Sequence, residues 1–318
     1  MFLDKNLSGI KHGFVILILI IFTIQVIPSE TGLVAEQIIK SESSRVFLRG
    51  LYIPNHKSRN FNFIKSVINR GKPLGINMLV FDVHTFGSTR LKVNSKIIEY
   101  VKGENIYLVA RIVCFQDGID RLPVKNSKIK ALYGIISSAV DSGFDEIQLD
   151  YIRFQDGGFP YPLKKKYEFI EMLLSDIRKL TELKKIKLSA DIFGRIVYNR
   201  NDYIGQKVEV FAPYTDVLYP MLYPSHFTGD RQKMSAPGET VKEGTLKGLK
   251  RVEGGKVLIQ PYIQAFPYNI QYARVKLEKY VALQIKAVEE TEARGWVAWN
   301  PNGDYSSVFS ALNTAVEK

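Results

Sequence analysis

Eight short β-rich segments alternate with longer helical segments along this 318-residue chain. This alternation is the sequence feature that most restricts the possible folds. The β-rich segments are 46–53, 76–83, 106–113, 146–152, 186–192, 217–222, 256–263 and 295–299. Such alternation is typical of a parallel sheet covered by helices, and eight units match a closed barrel. We predict an α/β protein with one (β/α)8 TIM barrel over residues 45–318. A doubly wound open sheet is the alternative, but no glycine-rich phosphate loop follows the first strand.

The segments between the strands carry helical signals. Helices are predicted at 60–70, 95–102, 127–142, 163–183, 204–212, 239–251, 275–294 and 306–316. Gly71, Gly103 and Gly143 each follow a helix and precede the next strand. Glycine there indicates a left-handed helix cap at each of these positions.

The first 44 residues differ from the rest. Lys5 and Lys11 precede an apolar run over 13–27, and Pro28 begins a polar exit. This pattern predicts a signal peptide or N-terminal membrane anchor at 1–27, followed by a linker at 28–44. The apolar run is shorter than the roughly 20 residues of a membrane span. An exported protein is therefore expected, either released or attached to the membrane.

Charge and histidine content restrict the partners and cofactors. The net charge of +12 favours an anionic partner such as an acidic polysaccharide, a cell-wall polymer or a lipid surface. Basic residues do not alternate with aromatic residues in a stripe, so we predict no nucleic-acid partner. The four histidines lack paired metal-ligand spacing, and we predict neither a metal nor a cofactor. The only cysteine, Cys114, excludes an internal disulfide and is interpreted as buried packing.

Strand four carries polar residues at alternating positions. A period of two places Glu146, Gln148 and Asp150 on one face. Ile147, Leu149 and Tyr151 then occupy the other face, toward the outer helices. A buried carboxylate persists only if it is paired, hydrogen-bonded or used. Asp150 lies nearest the barrel mouth and is a candidate catalytic residue; a structural ion pair with Arg111 or Arg153 is the alternative.

Asp191 ends strand five, next to strand four, and is the second candidate catalytic residue. Adjacent strands place such carboxyl groups roughly 5 to 8 Å apart, which spans the separations that glycosidases use. Two acids this close would divide into one charged group and one proton carrier. A cap on the following loop is the alternative for Asp191. Asp82 is either a third acid or a residue that supports the pair by hydrogen bonding.

Polar and aromatic residues collect at the carboxyl ends of the strands, where barrel enzymes bind their substrates. Flat rings at Tyr151, Tyr223, Tyr262 and Trp299 could stack on sugars, and His84 and His226 could donate to sugar hydroxyls. The full set of predicted substrate-binding residues is Asp82, His84, Arg111, Gln148, Tyr151, Arg153, Tyr223, His226, Gln260, Tyr262, Trp299 and Asn300.

Six segments, which occur in the same order along the chain, resemble those of a glycoside hydrolase domain family that is related to the alpha-amylase and endo-galactosaminidase barrels. They are GLYIP at 50–54, ARIV at 110–113, GFDEIQLDYIRF at 143–154, SADIFG at 189–194, PMLYPSHF at 220–227 and GWVAWNP at 295–301. The resemblance implies that Asp150 matches the strand-four nucleophile of amylase-like barrels. It places Asp191 at the strand-five proton donor, which is usually Glu there.

The sequence departs from the family pattern at His84, Gln155 and Ala265, where the family usually has Lys, Pro and an acid. We expect a glycosidase that acts on an extracytoplasmic polysaccharide by a carboxylate acid/base mechanism. A non-catalytic carbohydrate-binding barrel of the cell envelope is the alternative, and a structural envelope protein is the third interpretation.

Overall fold

The computed structural model describes residues 46–157 and 161–316. The predicted signal or anchor segment and the linker lie outside these residues, and the domain boundary at residue 45 stays a prediction. A compact unit begins at Val46. None of the helices in the described part of the chain combines the length and apolar character needed to cross a bilayer.

Nine strands and nine helices form the described unit. The strands are β1 (Leu48–Ile53), β2 (Met78–Asp82), β3 (Tyr107–Val113), β4 (Glu146–Asp150), β5 (Lys187–Phe193), β6 (Val217–Met221), β7 (Leu258–Ile259), β8 (Tyr262–Gln264) and β9 (Gly295–Trp299). The helices are α1 (Phe61–Gly71), α2 (Ser95–Gly103), α3 (Asn126–Val140), α4 (Leu163–Leu183), α5 (Val208–Phe211), α6 (Arg231–Ser235), α7 (Pro237–Val252), α8 (Leu277–Glu289) and α9 (Ser306–Val316).

The strands close into a parallel barrel. Strands β1 to β6 pair in chain order, and β9 pairs with β1. Strand β8 joins β9 to β6, which closes the ring. Because β7 and β8 are two parts of one stave, the nine strands build eight staves. The chain is therefore a (β/α)8 TIM barrel, as the sequence predicted.

The sequence predicted the seventh stave as one strand over 256–263, but in the structure this stave consists of the two short strands β7 and β8. It is interrupted between β7 and β8, where Pro261 lacks the N–H that a strand interior donates to its neighbour. The stave then continues to Gln264. Gln260 therefore lies deeper in the barrel than a strand-end position, and Tyr262 lies nearer the mouth.

Side chains alternate between two apolar layers. Ile147 and Leu149 pack in the larger layer between the sheet and the helices. The barrel interior contains a smaller cluster that includes Val80, Val109 and Tyr219. The inward orientation predicted for the polar row of β4 is confirmed at Glu146, whose carboxylate accepts a hydrogen bond from the Tyr219 hydroxyl in the barrel interior.

The predicted glycine caps are correct at one position of three. Gly143 has a φ of 91°, in the left-handed region. Gly71 and Gly103 are instead the last residues of α1 and α2. The left-handed positions follow a few residues later, at Gly75 and Asn105. Short turns after these two helices move the reversal of the chain away from the helix end.

Gly295 is where β9 meets β1, and we expect Gly295→Ala to destabilise the barrel by about 3 kcal/mol. Its φ is 155°, and an added Cβ would lie 1.8 Å from the carbonyl oxygen of Leu48. The alanine would combine backbone strain with steric overlap. Urea denaturation measures the change in the free energy of unfolding.

Gly103→Ala is the matched control, because a Cβ there meets open space at the end of α2. Alanine in a helix is expected to be neutral or to stabilise by about 0.5–1 kcal/mol. Equal unfolding midpoints for the two variants would contradict the close approach of β9 and β1.

Candidate active site

Arg111 is the centre of a charged cluster at the barrel mouth. It projects from β3, and its Nη1 and Nη2 donate short hydrogen bonds to the carboxylates of Asp82 and Asp150. Its Nε lies 3.4 Å from an oxygen of Asp191. Strands β2, β4 and β5 thus each contribute one acid to a single guanidinium. The ion pair between Arg111 and Asp150, which the sequence analysis gave as the alternative to a catalytic role of Asp150, is present.

The two candidate catalytic acids have different surroundings. The Asp150 carboxylate accepts hydrogen bonds from Arg111 and from the backbone N–H of Tyr151 at 2.6 Å. Asp191 is 1% exposed, and its Oδ1 has no hydrogen-bond partner among the described residues. Burial and the neighbouring Asp150 carboxylate raise the pKa of Asp191 well above its usual range. The ion pair with Arg111 suits Asp150 to the role of the carboxylate, and the raised pKa of Asp191 suits Asp191 to the role of the proton carrier.

The two acids meet at the same guanidinium. Asp150 lies against Nη2 of Arg111 and Asp191 against its Nε. The expected separation of roughly 5 to 8 Å between the two carboxyl groups stays a prediction. The loop-cap alternative for Asp191 does not fit a side chain that faces Arg111.

The inward residues of β4 below Asp150 bind structural partners, although Nε2 of Gln148 has no hydrogen-bond partner among the described residues. Glu146 binds Arg294 at 2.8 Å and the Tyr219 hydroxyl at 2.7 Å. Gln148 accepts a hydrogen bond from the Tyr262 hydroxyl at 2.7 Å. Gln148 is fully buried beneath Tyr262, so the prediction that it contacts substrate is wrong. Its position one pleat below Asp150 removes it from the cleft.

His84 does not reach the acid pair. Its Nε2 accepts a hydrogen bond from the backbone N–H of Val113 at 3.1 Å, and its Nδ1 lies 3.3 Å from the carbonyl oxygen of Ser88. Both ring nitrogens are thus committed to the backbone. Burial also lowers the pKa of His84. The predicted sugar contact is wrong, and His84 instead fixes the loop after β2.

Two other predicted ligands are also structural. Gln260 is buried in the barrel, where its amide lies 3.4 Å from the carbonyl oxygen of Leu48 and 3.2 Å from the sulfur of Met78. Asn300 donates to the carbonyl oxygen of Ala265 at 2.7 Å and accepts from the backbone N–H of Asn302. Neither lines the cleft, so both predictions of substrate contact are wrong.

Asp82 and Arg153 contact residues at the barrel mouth, namely Arg111 and Tyr151, respectively. Asp82 accepts hydrogen bonds from Arg111 and from the Tyr52 hydroxyl, which agrees with the supporting role considered for it. Arg153 pairs with Asp156 at 3.1 Å. Its guanidinium also lies 5.6 Å from the ring centre of Tyr151. Arg153 is not among the residues that line the cleft, and its contact with substrate stays a prediction.

A cleft of about 330 Å³ opens above the acid pair. Predicted residues that line it are Arg111, Asp150, Tyr151, Asp191, Tyr223, His226, Tyr262 and Trp299. Tyr151 reaches the cleft although strict alternation assigned it to the outer face. Its φ of 57° turns the chain directly after β4, so the alternation ends at Asp150. Aromatic rings and two acids therefore share one hollow, as a sugar site requires.

Sequence reasoning missed five residues of the cleft. They are Phe193, Gly194, Arg195, Met221 and Phe227. Phe193 and Met221 are the last residues of β5 and β6, and Gly194, Arg195 and Phe227 lie in the loops that follow. Strand ends alone would have identified the first two residues, whereas the other three need a search that continues a few residues beyond each strand end.

The raised pKa of Asp191 predicts a pH-dependent stability difference from Asp191→Asn. A carboxyl whose folded pKa lies above its unfolded pKa stabilises the fold below the unfolded pKa, and that stability is lost as pH rises through the folded pKa. The wild type should therefore lose stability relative to Asp191→Asn as pH rises above about 4, by at most about 1.4 kcal/mol per pH unit.

Urea denaturation of both proteins between pH 4 and 8 measures this difference. The comparison should be repeated in high salt, because screening weakens the effects of surface charges more than those of a buried group. Parallel stability curves for the two proteins would contradict a protonated Asp191 in the folded state.

Comparisons with known proteins agree with the fold. A family model described as "Putative glycosyl hydrolase domain" matches residues 123–305, more than half of the chain. No curated protein matches the sequence. Among solved structures, a chitinase from Chromobacterium violaceum is 13% identical with a TM-score of 0.58, over 86% of this chain and 100% of that chain.

Two other solved structures are similar to the barrel. The spore cortex-lytic enzyme SleL of Bacillus megaterium is 13% identical with a TM-score of 0.57, over 85% of this chain and 75% of that chain. A Cycas revoluta chitinase in complex with (GlcNAc)4 is 12% identical with a TM-score of 0.55, over 85% and 100% of the two chains. At these identities the similarity establishes the fold alone.

Proposed function

Because the chain belongs to this family of glycosyl hydrolase domains, we propose that it hydrolyses O-glycosidic bonds of a polysaccharide at the cleft above Asp150 and Asp191. The observation that carries the proposal is the buried acid pair. Asp191 keeps a proton and has an unpaired oxygen, while Asp150 stays charged beside Arg111. General acid catalysis needs a proton donor of raised pKa next to an anion that stabilises positive charge.

The proposed reaction uses both acids in sequence. Asp191 donates its proton to the leaving oxygen as the bond from that oxygen to the anomeric carbon breaks. The Asp150 carboxylate stabilises the positive charge that develops on the sugar ring. Water then adds to the anomeric carbon and gives its proton to the carboxyl pair, which restores the starting state. Arg111 holds Asp150 in place throughout these steps.

Aromatic side chains at the mouth would position the sugar. Tyr223 and Trp299 line the cleft with ring centres 5.7 Å apart. Rings of this kind bind the apolar faces of sugars and exclude water. The Tyr262 hydroxyl is committed to Gln148, so Tyr262 would form part of the cleft floor.

A carbohydrate-binding barrel without catalysis is the second candidate, and the charge cluster around Arg111 favours it. One guanidinium contacts Asp82, Asp150 and Asp191, so these acids have structural roles as ion-pair partners whether or not the cleft is catalytic. A barrel that only binds sugars would keep this cluster and would need no proton donor.

We also propose that the substrate is extracytoplasmic, on the basis of the N-terminal apolar segment. Chito-oligosaccharides and spore-cortex peptidoglycan are the first substrates to test, because barrels of similar fold include chitinases and a cortex-lytic enzyme. Malto-oligosaccharides belong in the same panel because of the resemblance to amylase-like barrels.

The test is an assay for new reducing ends with the full-length protein and this glycan panel, together with a binding measurement on a glycan array. Release of reducing ends from at least one glycan is expected. Binding to a glycan without any release from it would contradict hydrolysis and favour the carbohydrate-binding barrel.

A further inference from the structure

We infer that Tyr268 and His226 form a second sugar subsite on the rim of the cleft, and this inference rests on the proposed function. A cleft of about 330 Å³ is at the lower end of the range for ligand sites. It accommodates a short part of a polysaccharide chain. The neighbouring sugar must therefore contact the protein outside this hollow.

Aromatic rings lead from the cleft to Tyr268. The Trp299 and Phe266 ring centres are 5.1 Å apart, and Phe266 lies 6.0 Å from His226. His226 in turn lies 6.2 Å from Tyr268. His226 lines the cleft itself. The four rings thus contact one another in a row from Trp299 in the cleft to Tyr268 at the rim, with Phe266 buried among them.

The rings at the rim offer both kinds of contact that sugars need. Tyr268 is 54% exposed. An exposed ring can stack on the C–H face of a sugar, and its hydroxyl can bond to sugar hydroxyls. Partial burial of the His226 imidazole lowers the pKa of His226. A neutral imidazole can both donate and accept a hydrogen bond.

Gln264 holds the two rim loops in fixed positions. Its buried side chain donates to the carbonyl oxygens of Phe266 at 3.0 Å and Tyr268 at 2.8 Å. Its Oε1 accepts from the backbone N–H of Ser225 and from the Tyr280 hydroxyl, each at 3.2 Å. One amide therefore joins the loop after β8 to the loop after β6 and to α8. Because the rings are already ordered, a sugar that binds them loses little affinity to the ordering of side chains.

The subsite is tested by titration calorimetry in the inactive Asp191→Asn background. The probes are the disaccharides and tetrasaccharides of the chito- and malto-oligosaccharide series. Tyr268→Ala is expected to weaken binding of the tetrasaccharide that binds best by about tenfold. It should leave disaccharide binding unchanged, because a disaccharide fits within the cleft. Tyr268→Phe should retain most of the tetrasaccharide affinity, since stacking uses the ring.

Tyr272→Ala is the matched control, since this tyrosine of the same loop is 39% exposed and makes no ring contact with the cleft residues among the described residues. It should change neither affinity. The inference is overturned if Tyr268→Ala affects both probes equally, if it affects neither, or if no tetrasaccharide binds more tightly than its disaccharide.

Hydrolysis by the wild type is measured separately. Length-dependent binding through Tyr268 without hydrolysis would leave the subsite standing and remove the proposed function. Hydrolysis of short glycosides, together with unchanged tetrasaccharide binding in Tyr268→Ala, would support the proposed function and remove the subsite.

Discussion

Asp191→Asn is expected to lower kcat/KM on any glycan that the wild type cleaves by about 10²–10⁴-fold, the usual contribution of a general acid. Asparagine keeps the shape of the side chain but carries no acidic proton. Asp191 lines the cleft, and its Oδ1 has no hydrogen-bond partner among the described residues. The substitution therefore removes a proton and leaves the fold intact.

Activity of the wild type should also fall as pH rises through the pKa of Asp191, because the acid form is then lost. Reducing-end assays across pH measure both effects, and circular dichroism checks the fold. Asp145→Asn is the matched control. Asp145 accepts from the backbone N–H of Leu108 at the opposite end of the strands and is outside the cleft. Equal activity of the Asp191 and Asp145 variants would remove Asp191 from the mechanism.

Arg111→Met is expected to destabilise the barrel by about 3–5 kcal/mol near neutral pH and to abolish activity. Removing one partner of a buried ion pair leaves the other charge uncompensated. Arg111 faces Asp82, Asp150 and Asp191 from below the cleft. Without the guanidinium, two of these acids would have to take up protons or separate.

The loss of stability should become smaller at acidic pH, where these carboxyl groups are protonated in the unfolded chain as well. Urea denaturation at pH 4 and pH 7 measures this difference. Arg49→Met is the control, since Arg49 forms a half-exposed ion pair with Glu289 at 2.8 Å. Such surface pairs contribute about 1 kcal/mol or less. A similar cost for both variants at both pH values would contradict a buried charge cluster held by Arg111.

Features that repeat along the chain were determined by the sequence alone. Eight β-rich segments predicted the barrel, and the alternation in β4 predicted that Glu146, Gln148 and Asp150 face inward. Asp150 and Asp191 at the ends of adjacent strands also predicted that both acids would meet at the mouth. These predictions succeeded because hydrophobic period and strand ends are local properties, and because parallel strands place their carboxyl ends together.

Only the tertiary structure decided how far each side chain lies from the barrel mouth and which residues it binds. Gln260 and Gln148 lie below the cleft because strand register, together with the break at Pro261, sets how far each side chain is from the mouth. His84 is committed to the backbone of a neighbouring strand. Asp150 and Asp191 both contact Arg111, a residue of a third strand. Hydrogen bonds between distant residues depend on distances across the fold, and spacing along the chain does not contain those distances.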